Sequence, residues 1–265
     1  MTGQGVRHVS VFTRLISYIR IAIIALFTAP VAVVAIVAPA LTRRTEIFDW
    51  CARAWSRMVL FTSGVRVRTK GTENIVPGRP YVYVSNHASL FDIPAVLAGI
   101  PDAVHFVYKK ELQKVVFLGW ALKASTYIPV VRERGREAAR SIEEAARRIR
   151  EGMSVILFAE GTRSPDGRVQ PFKRGAFSLA AHAGVPIIPV TINGSEHVLP
   201  KRHLAIRPGT IELVVEPPIP TEGMDTREGE THLMEQVQSI ILRNHTLSGA
   251  PAGAVLPTTK DSACR

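Results

Sequence analysis

Residues 21 to 41 read IAIIALFTAPVAVVAIVAPAL, without one charged side chain. A run of this length reaches the roughly 20 apolar residues that span a hydrocarbon core. In that medium a lone segment satisfies its backbone polar groups only as a helix. We therefore expect an N-terminal hydrophobic helical membrane anchor. Arg7, Arg14 and Arg20 precede the run and Arg43 and Arg44 follow it, so the flanking charges give no orientation. Pro30 falls in the middle, where a proline kinks a helix. A single span and a re-entrant or interfacial hairpin both fit. A cleaved signal peptide is a third option, since Ala38-Pro39-Ala40 resembles a small-residue cleavage site, but the apolar region is longer than the usual 7 to 15 or so residues.

Downstream, strand and helix patterns alternate. Strand-like runs are Gly64 to Arg68, Pro80 to Val84, Val104 to Tyr108, Thr126 to Val131, Ser154 to Ala159, Pro186 to Ile192 and Thr210 to Glu216. Helical runs are Ala52 to Phe61, Ile93 to Ala98, Arg136 to Glu151 and Thr231 to Asn244. The clearest helix carries Ala139, Ile142, Ala146 and Ile149 on one face, with Gly152 as its stop. This alternation predicts an α/β domain with a mixed, largely parallel sheet flanked by helices. The expected division is a membrane-associated helical region at 1–60, the α/β domain at 61–245, and a loose Gly-, Pro- and Ala-containing tail at 246–265.

The 33 basic residues outweigh 22 acidic ones, a net charge of +11 that asks for a polyanionic partner. The sparse aromatics are not interleaved with the basic residues as base-stacking platforms would be, which argues against nucleic acid. Together with the apolar run, the charge points to an anionic membrane surface. Cys51 and Cys264 are too far apart for a zinc or redox motif and suggest no disulfide framework. His182, His197, His203, His232 and His245 show no metal-ligand spacing, so no metal site is expected.

Three segments can carry chemistry. The first, Ser85-Asn-His-Ala-Ser-Leu-Phe-Asp92, follows a strand and opens a helix. Ser89 and Asp92 fit a capping box, in which the aspartate only satisfies amides at the helix start. Alternatively, Asp92 folds back onto one imidazole nitrogen of His87 and leaves the other to accept a proton. A base needs a nucleophile, and no G-x-S-x-G elbow is present; Ser195, in Asn193-Gly194-Ser195-Glu196, lacks the second glycine. A substrate hydroxyl is then the simplest nucleophile, which favours direct transfer.

The second segment is Phe158-Ala-Glu-Gly-Thr-Arg-Ser164. Glu160, Gly161, Thr162, Arg163 and Ser164 offer close backbone approach, hydroxyl and amide donors, and a guanidinium fork that matches phosphate. Lys173 and Arg174 add cations, while Ser164-Pro165-Asp166-Gly167 is equally an ordinary turn. The third comprises Lys109, in Lys109-Lys110-Glu111-Leu112, and Arg132. Both would reach the rim that holds His87 and Arg163 if their strands are neighbours; otherwise they are plain surface charges.

Together these segments resemble the glycerolipid acyltransferase family. Its first block, N-H-x-x-x-x-D, is met by Asn86, His87 and Asp92. Its third, F-P-E-G-T-R-S, is met by residues 158–164 with Ala159 in place of proline, and its fourth, V-P-I-x-P-V, by Val185 to Val190. The second block is met loosely by Tyr127 to Arg132, with Val131 where the family has an aspartate. The resemblance spans roughly residues 80 to 192, in the right order. It implies that His87 is the general base, oriented by Asp92, and that Glu160, Gly161, Thr162, Arg163, Ser164, Lys109 and Arg132 hold a phosphate. The implied acceptor is the sn-2 hydroxyl of lysophosphatidate, the implied donor acyl-CoA or acyl carrier protein, and no further cofactor is required. The implied setting is the cytoplasmic face of the cell membrane.

Overall fold

The structure is a computed structural model that describes residues 11–44, 46–114, 118–131 and 135–245. The expected tail at 246–265 and Arg132 lie outside the described residues.

The chain opens with helix α1 (Val11–Thr42), which continues unbroken through Pro30 and Pro39, and turns into α2 (Glu46–Ser63). Of the two arrangements the sequence leaves open, a continuous helix and one broken at Pro30, α1 takes the first. One missing N–H removes a single helical bond, and α2 braces α1 beside the proline: the Trp55 indole donates to Thr28 Oγ1 at 2.9 Å, two residues before it. Helix α2 starts six residues earlier than its apolar pattern suggests, with Glu46 and Asp49 in the first turn complementing its dipole.

Seven strands follow: β1 (Val65–Lys70), β2 (Val82–Ser85), β3 (Val104–Lys109), β4 (Ile128–Val130), β5 (Ser154–Phe158), β6 (Ile187–Asn193) and β7 (Gly209–Val215). They form one sheet in the order β1-β7-β6-β2-β5-β3-β4, parallel throughout except for the antiparallel pair β6 and β7. The connecting helices are α3 (Asp92–Gly99), α4 (Leu118–Ala124), α5 (Arg136–Arg150), α6 (Gly175–Ala183), α7 (Ser195–Val198) and α8 (Arg227–Asn244). Strand β4 is shorter than expected because local side chains take the flanking amides: Tyr127 N–H goes to Ser125 Oγ at 3.2 Å and Val131 N–H to Ser141 Oγ at 3.1 Å. Helix α8 begins at its Thr226 cap, whose hydroxyl accepts the Gly229 amide.

Alternation along β2 divides the interior. Tyr81 and Tyr83 face one layer, under α2 and α3, while Val82 and Val84 face the other, with residues of α5, α6 and α8; all four are fully buried. A strand buried on both faces belongs at the centre of a parallel sheet. Strand β2 lies between β5 and β6, with Ser85 level with Phe158 and Val190. The loops that leave these ends share one rim, where α/β sheets commonly bind ligands.

Candidate active site

The site is built from the loop after β2. Asn86 lies flat against β6, its amide donating to Ile192 O at 2.9 Å and accepting Ile192 N–H at 2.8 Å. The next residue, His87, is fixed through both backbone groups. Its N–H donates to Glu160 Oε1 at 2.8 Å, and its carbonyl accepts Ser164 N–H at 2.7 Å. The first and third sequence blocks are therefore one structure.

The side chains complete the arrangement. Asp92, the first residue of α3, is fully buried, and its Oδ2 accepts from His87 Nδ1 at 2.7 Å and from the amides of Ala88 and Ser89 at 2.9 Å each. The contacts to backbone amides and the contact to the imidazole are thus both present, and a single oxygen serves both. With its proton on Nδ1, the imidazole presents a lone pair on Nε2. Its ring stacks flat on Phe158, with centroids 3.9 Å apart and planes 9° from parallel. The histidine is held in one orientation, with its side chain 14% exposed. Ser89 closes the turn by accepting the Phe91 amide at 3.2 Å and donating to Leu199 O at 2.9 Å.

Glu160, which the resemblance assigns to the phosphate site, is buried, and its Oε1 accepts the main-chain N–H of His87. Burial pushes its carboxyl up to about 7, against the pull of hydrogen bonds from the His87 and Gln170 amides. Its Oε2 has no hydrogen-bond partner among the described residues. Gly161 has φ +74, a left-handed backbone that favours glycine, and it lies against the end of the Lys173 side chain. Thr162 is exposed. Arg163 is half-buried; its carbonyl receives Lys201 Nζ, while its guanidinium pairs with no carboxylate among the described residues. Ser164 is buried, and its hydroxyl is engaged by Asp166 Oδ1 at 3.0 Å, an oxygen that also accepts the Arg168 amide. The chain therefore bends at 165–168, where Asp166 holds the Ser164 hydroxyl.

Lys109 ends β3 and lies in register with Val130 of β4, so the two strands are neighbours, as the shared-rim reading requires. Its ammonium is half-exposed and 3.6 Å from Glu111. Three contributors escaped sequence reasoning in their roles. Asn86 and Lys201 act through partners 106 and 38 residues away, which no local pattern encodes. The Phe158 ring lies within a recognised block but becomes a platform only because β5 and β2 are adjacent.

Comparison with known proteins agrees with this geometry. A family model described as acyltransferase matches residues 66–193. The chain is 34% identical over 186 residues to the 1-acyl-sn-glycerol-3-phosphate acyltransferase of Pseudomonas aeruginosa, covering 69% of this chain and 70% of that protein. It is 32% identical over 178 residues to a chloroplastic enzyme of the same name from Brassica napus, covering 66% of this chain, and 34% identical over 167 residues to the alpha form from Homo sapiens, covering 63% of it. The chain spans 51% and 59% of the lengths of those two relatives. The crystal structure of the 1-acyl-sn-glycerophosphate acyltransferase PlsC from Thermotoga maritima superimposes with a TM-score of 0.70 at 27% identity, over 88% of this chain and 93% of that one. The chain belongs to the 1-acyl-sn-glycerol-3-phosphate acyltransferase family.

Proposed function

We propose that the protein transfers a fatty acyl group from a thioester to the sn-2 hydroxyl of 1-acylglycerol 3-phosphate, giving phosphatidate. The observation that carries this reading is the His87–Asp92 pair, in a loop whose His87 carbonyl is bonded to Ser164 N–H, next in the chain to Arg163, whose guanidinium pairs with no carboxylate among the described residues. In the scheme, Nε2 takes the proton of the acceptor hydroxyl as its oxygen attacks the thioester carbonyl. The C–S bond then breaks, and the departing thiolate receives the proton back from the imidazolium. Asp92 holds the ring and stabilises its transient charge. No covalent acyl-enzyme forms, and the scheme asks for no metal or bound cofactor.

Arg163 binds the acceptor's phosphate with its planar fork, with Lys109, at the end of β3, as a further cation; the resemblance adds Arg132, which lies outside the described residues. Glu160, Gly161 and Ser164 shape that loop and fix the backbone of His87, so they are positioning residues; exposed Thr162 can add a hydroxyl to the phosphate. The donor is acyl-CoA or acyl carrier protein. Helix α1 is long and apolar enough to cross a membrane, and most of its surface is uncovered by the rest of the fold. The bilayer accordingly supplies acceptor and receives product, and the +11 charge suits the anionic cytoplasmic leaflet.

Purified protein in detergent, given labelled acyl-CoA or acyl carrier protein thioester with lysophosphatidate, tests the assignment. Phosphatidate should form, and glycerol 3-phosphate or lysophosphatidylcholine should be poor acceptors. Preference for either of these would move the protein to another acceptor class, and free fatty acid without acceptor would make it a thioesterase.

A further inference from the structure

Residues 198–207, between α7 and β7, form a loop closed by a hydrogen bond from Arg207 N–H to Val198 O at 2.9 Å. Its inner side, Val198, Ala205 and Ile206, is buried, whereas Arg202, His203, Leu204 and Arg207 are exposed. Leu204 is 66% exposed, and Arg202 holds a left-handed φ of +68, a conformation an arginine adopts only where its surroundings impose it. The loop contains Lys201, Arg202 and Arg207 and no acidic residue. It thus projects an apolar tip ringed by cations.

Four ties fix where that tip lies. Leu199 O accepts the Ser89 hydroxyl in the His87 loop, and Lys201 donates to the carbonyl of Arg163. On the other side, Ile206 N–H donates to Ser17 Oγ at 3.0 Å and its carbonyl accepts Arg20 at 3.1 Å, both from α1. Ser17 is the buried polar exception on a helix whose neighbouring Leu15 and Tyr18 are exposed. The loop therefore joins the apolar helix to both halves of the site.

We infer that this loop is an interfacial element that seats Leu204, Arg202 and Arg207 on an anionic lipid surface beside the first turns of α1, holding the His87 and Arg163 edge at the lipid headgroups. The inference rests on the proposed membrane setting. Charge complementarity and continuity with α1 single out lipid as the occupant: an exposed leucine flanked by cations matches the boundary where acyl chains meet anionic headgroups. Each exposed arginine near such a surface is worth about a fivefold change in binding, from about 1 kcal/mol per charge.

The test uses full-length protein with Cys51→Ser and Cys264→Ser, carrying an environment-sensitive fluorophore on Leu204→Cys or, as a control on the opposite sheet face, on Glu235→Cys. With vesicles of phosphatidylcholine and phosphatidylglycerol, the Leu204→Cys label should shift to the blue and brighten several-fold, while the control stays unchanged. Arg202→Glu with Arg207→Glu should weaken binding to these vesicles by more than tenfold and lower acylation of vesicle-borne acceptor, yet leave acylation in detergent micelles within twofold. A Leu204→Cys label that reports water while the protein co-sediments with vesicles would overturn the loop assignment. Failure to acylate in micelles would instead count against the acyltransferase reading.

Discussion

Asp92 and Glu160 are both buried carboxylates that bond to the same histidine, yet they do different work. Asp92 gathers three N–H donors on one oxygen, and one of them is the imidazole. Glu160 touches only the backbone of His87, and burial lifts its carboxyl to about 7. Proximity to a catalytic histidine therefore does not define a dyad; the bond to the ring nitrogen does. Asp92 sets the tautomer and orientation of the base, whereas Glu160 sets where its Cα stands. The comparison predicts that the two positions fail differently when changed.

The largest effect is expected at the residue they share. His87→Ala should lower kcat by about 10⁴, at the upper end for loss of a general base, with an unchanged melting temperature as the check that the fold survives. Asp92→Asn keeps the volume but sets an amide among three donors, so kcat should fall by about 10² to 10³. The same variant should lose about 1–3 kcal/mol in denaturant titration, because the Ala88 and Ser89 amides lose a carboxylate partner. Arg163→Ala should raise the acceptor KM by about 10- to 100-fold with a much smaller change in kcat, as for loss of a binding contact.

Glu160→Gln should change kcat by less than about tenfold, since the amide oxygen still accepts the His87 N–H. Its signature is in stability. The unfolded chain releases this proton near the ordinary 4.5, but the folded protein retains it to about 7. The contribution is therefore fully present below the lower value and is lost as pH rises through the upper one, by on the order of 3 kcal/mol in the limit. Thermal melts from pH 4 to 8 should show a downward slope in the wild type that is shallower in Glu160→Gln.

The same contrast marks how far the sequence alone could reach. His87, Asp92 and the seven strands were legible because each is encoded within a few residues, by spacing, period or β-branched composition. Even the ambiguity between a helix cap and a dyad was legible, and it dissolves because one carboxylate oxygen serves both. Glu160 falls in a legible loop, but its bond to the His87 amide follows only from the adjacency of β2 and β5. At Pro30 the sequence leaves a continuous helix and a broken one open, and the fold takes the first, with α2 packed along α1. Asn86 and Lys201 draw their roles from contacts that only the folded sheet creates.

The central claim is that Asp92, and not Glu160, fixes the His87 proton on Nδ1 and leaves Nε2 as the base. Nitrogen-15 histidine NMR of the wild type, Asp92→Asn and Glu160→Gln, with His87→Ala to assign the signal, tests this directly. The account predicts an Nδ1–H tautomer for neutral His87 in the wild type and Glu160→Gln, with that preference lost in Asp92→Asn. An Nε2–H tautomer in the wild type, or an undisturbed Nδ1–H signal in Asp92→Asn, would contradict it.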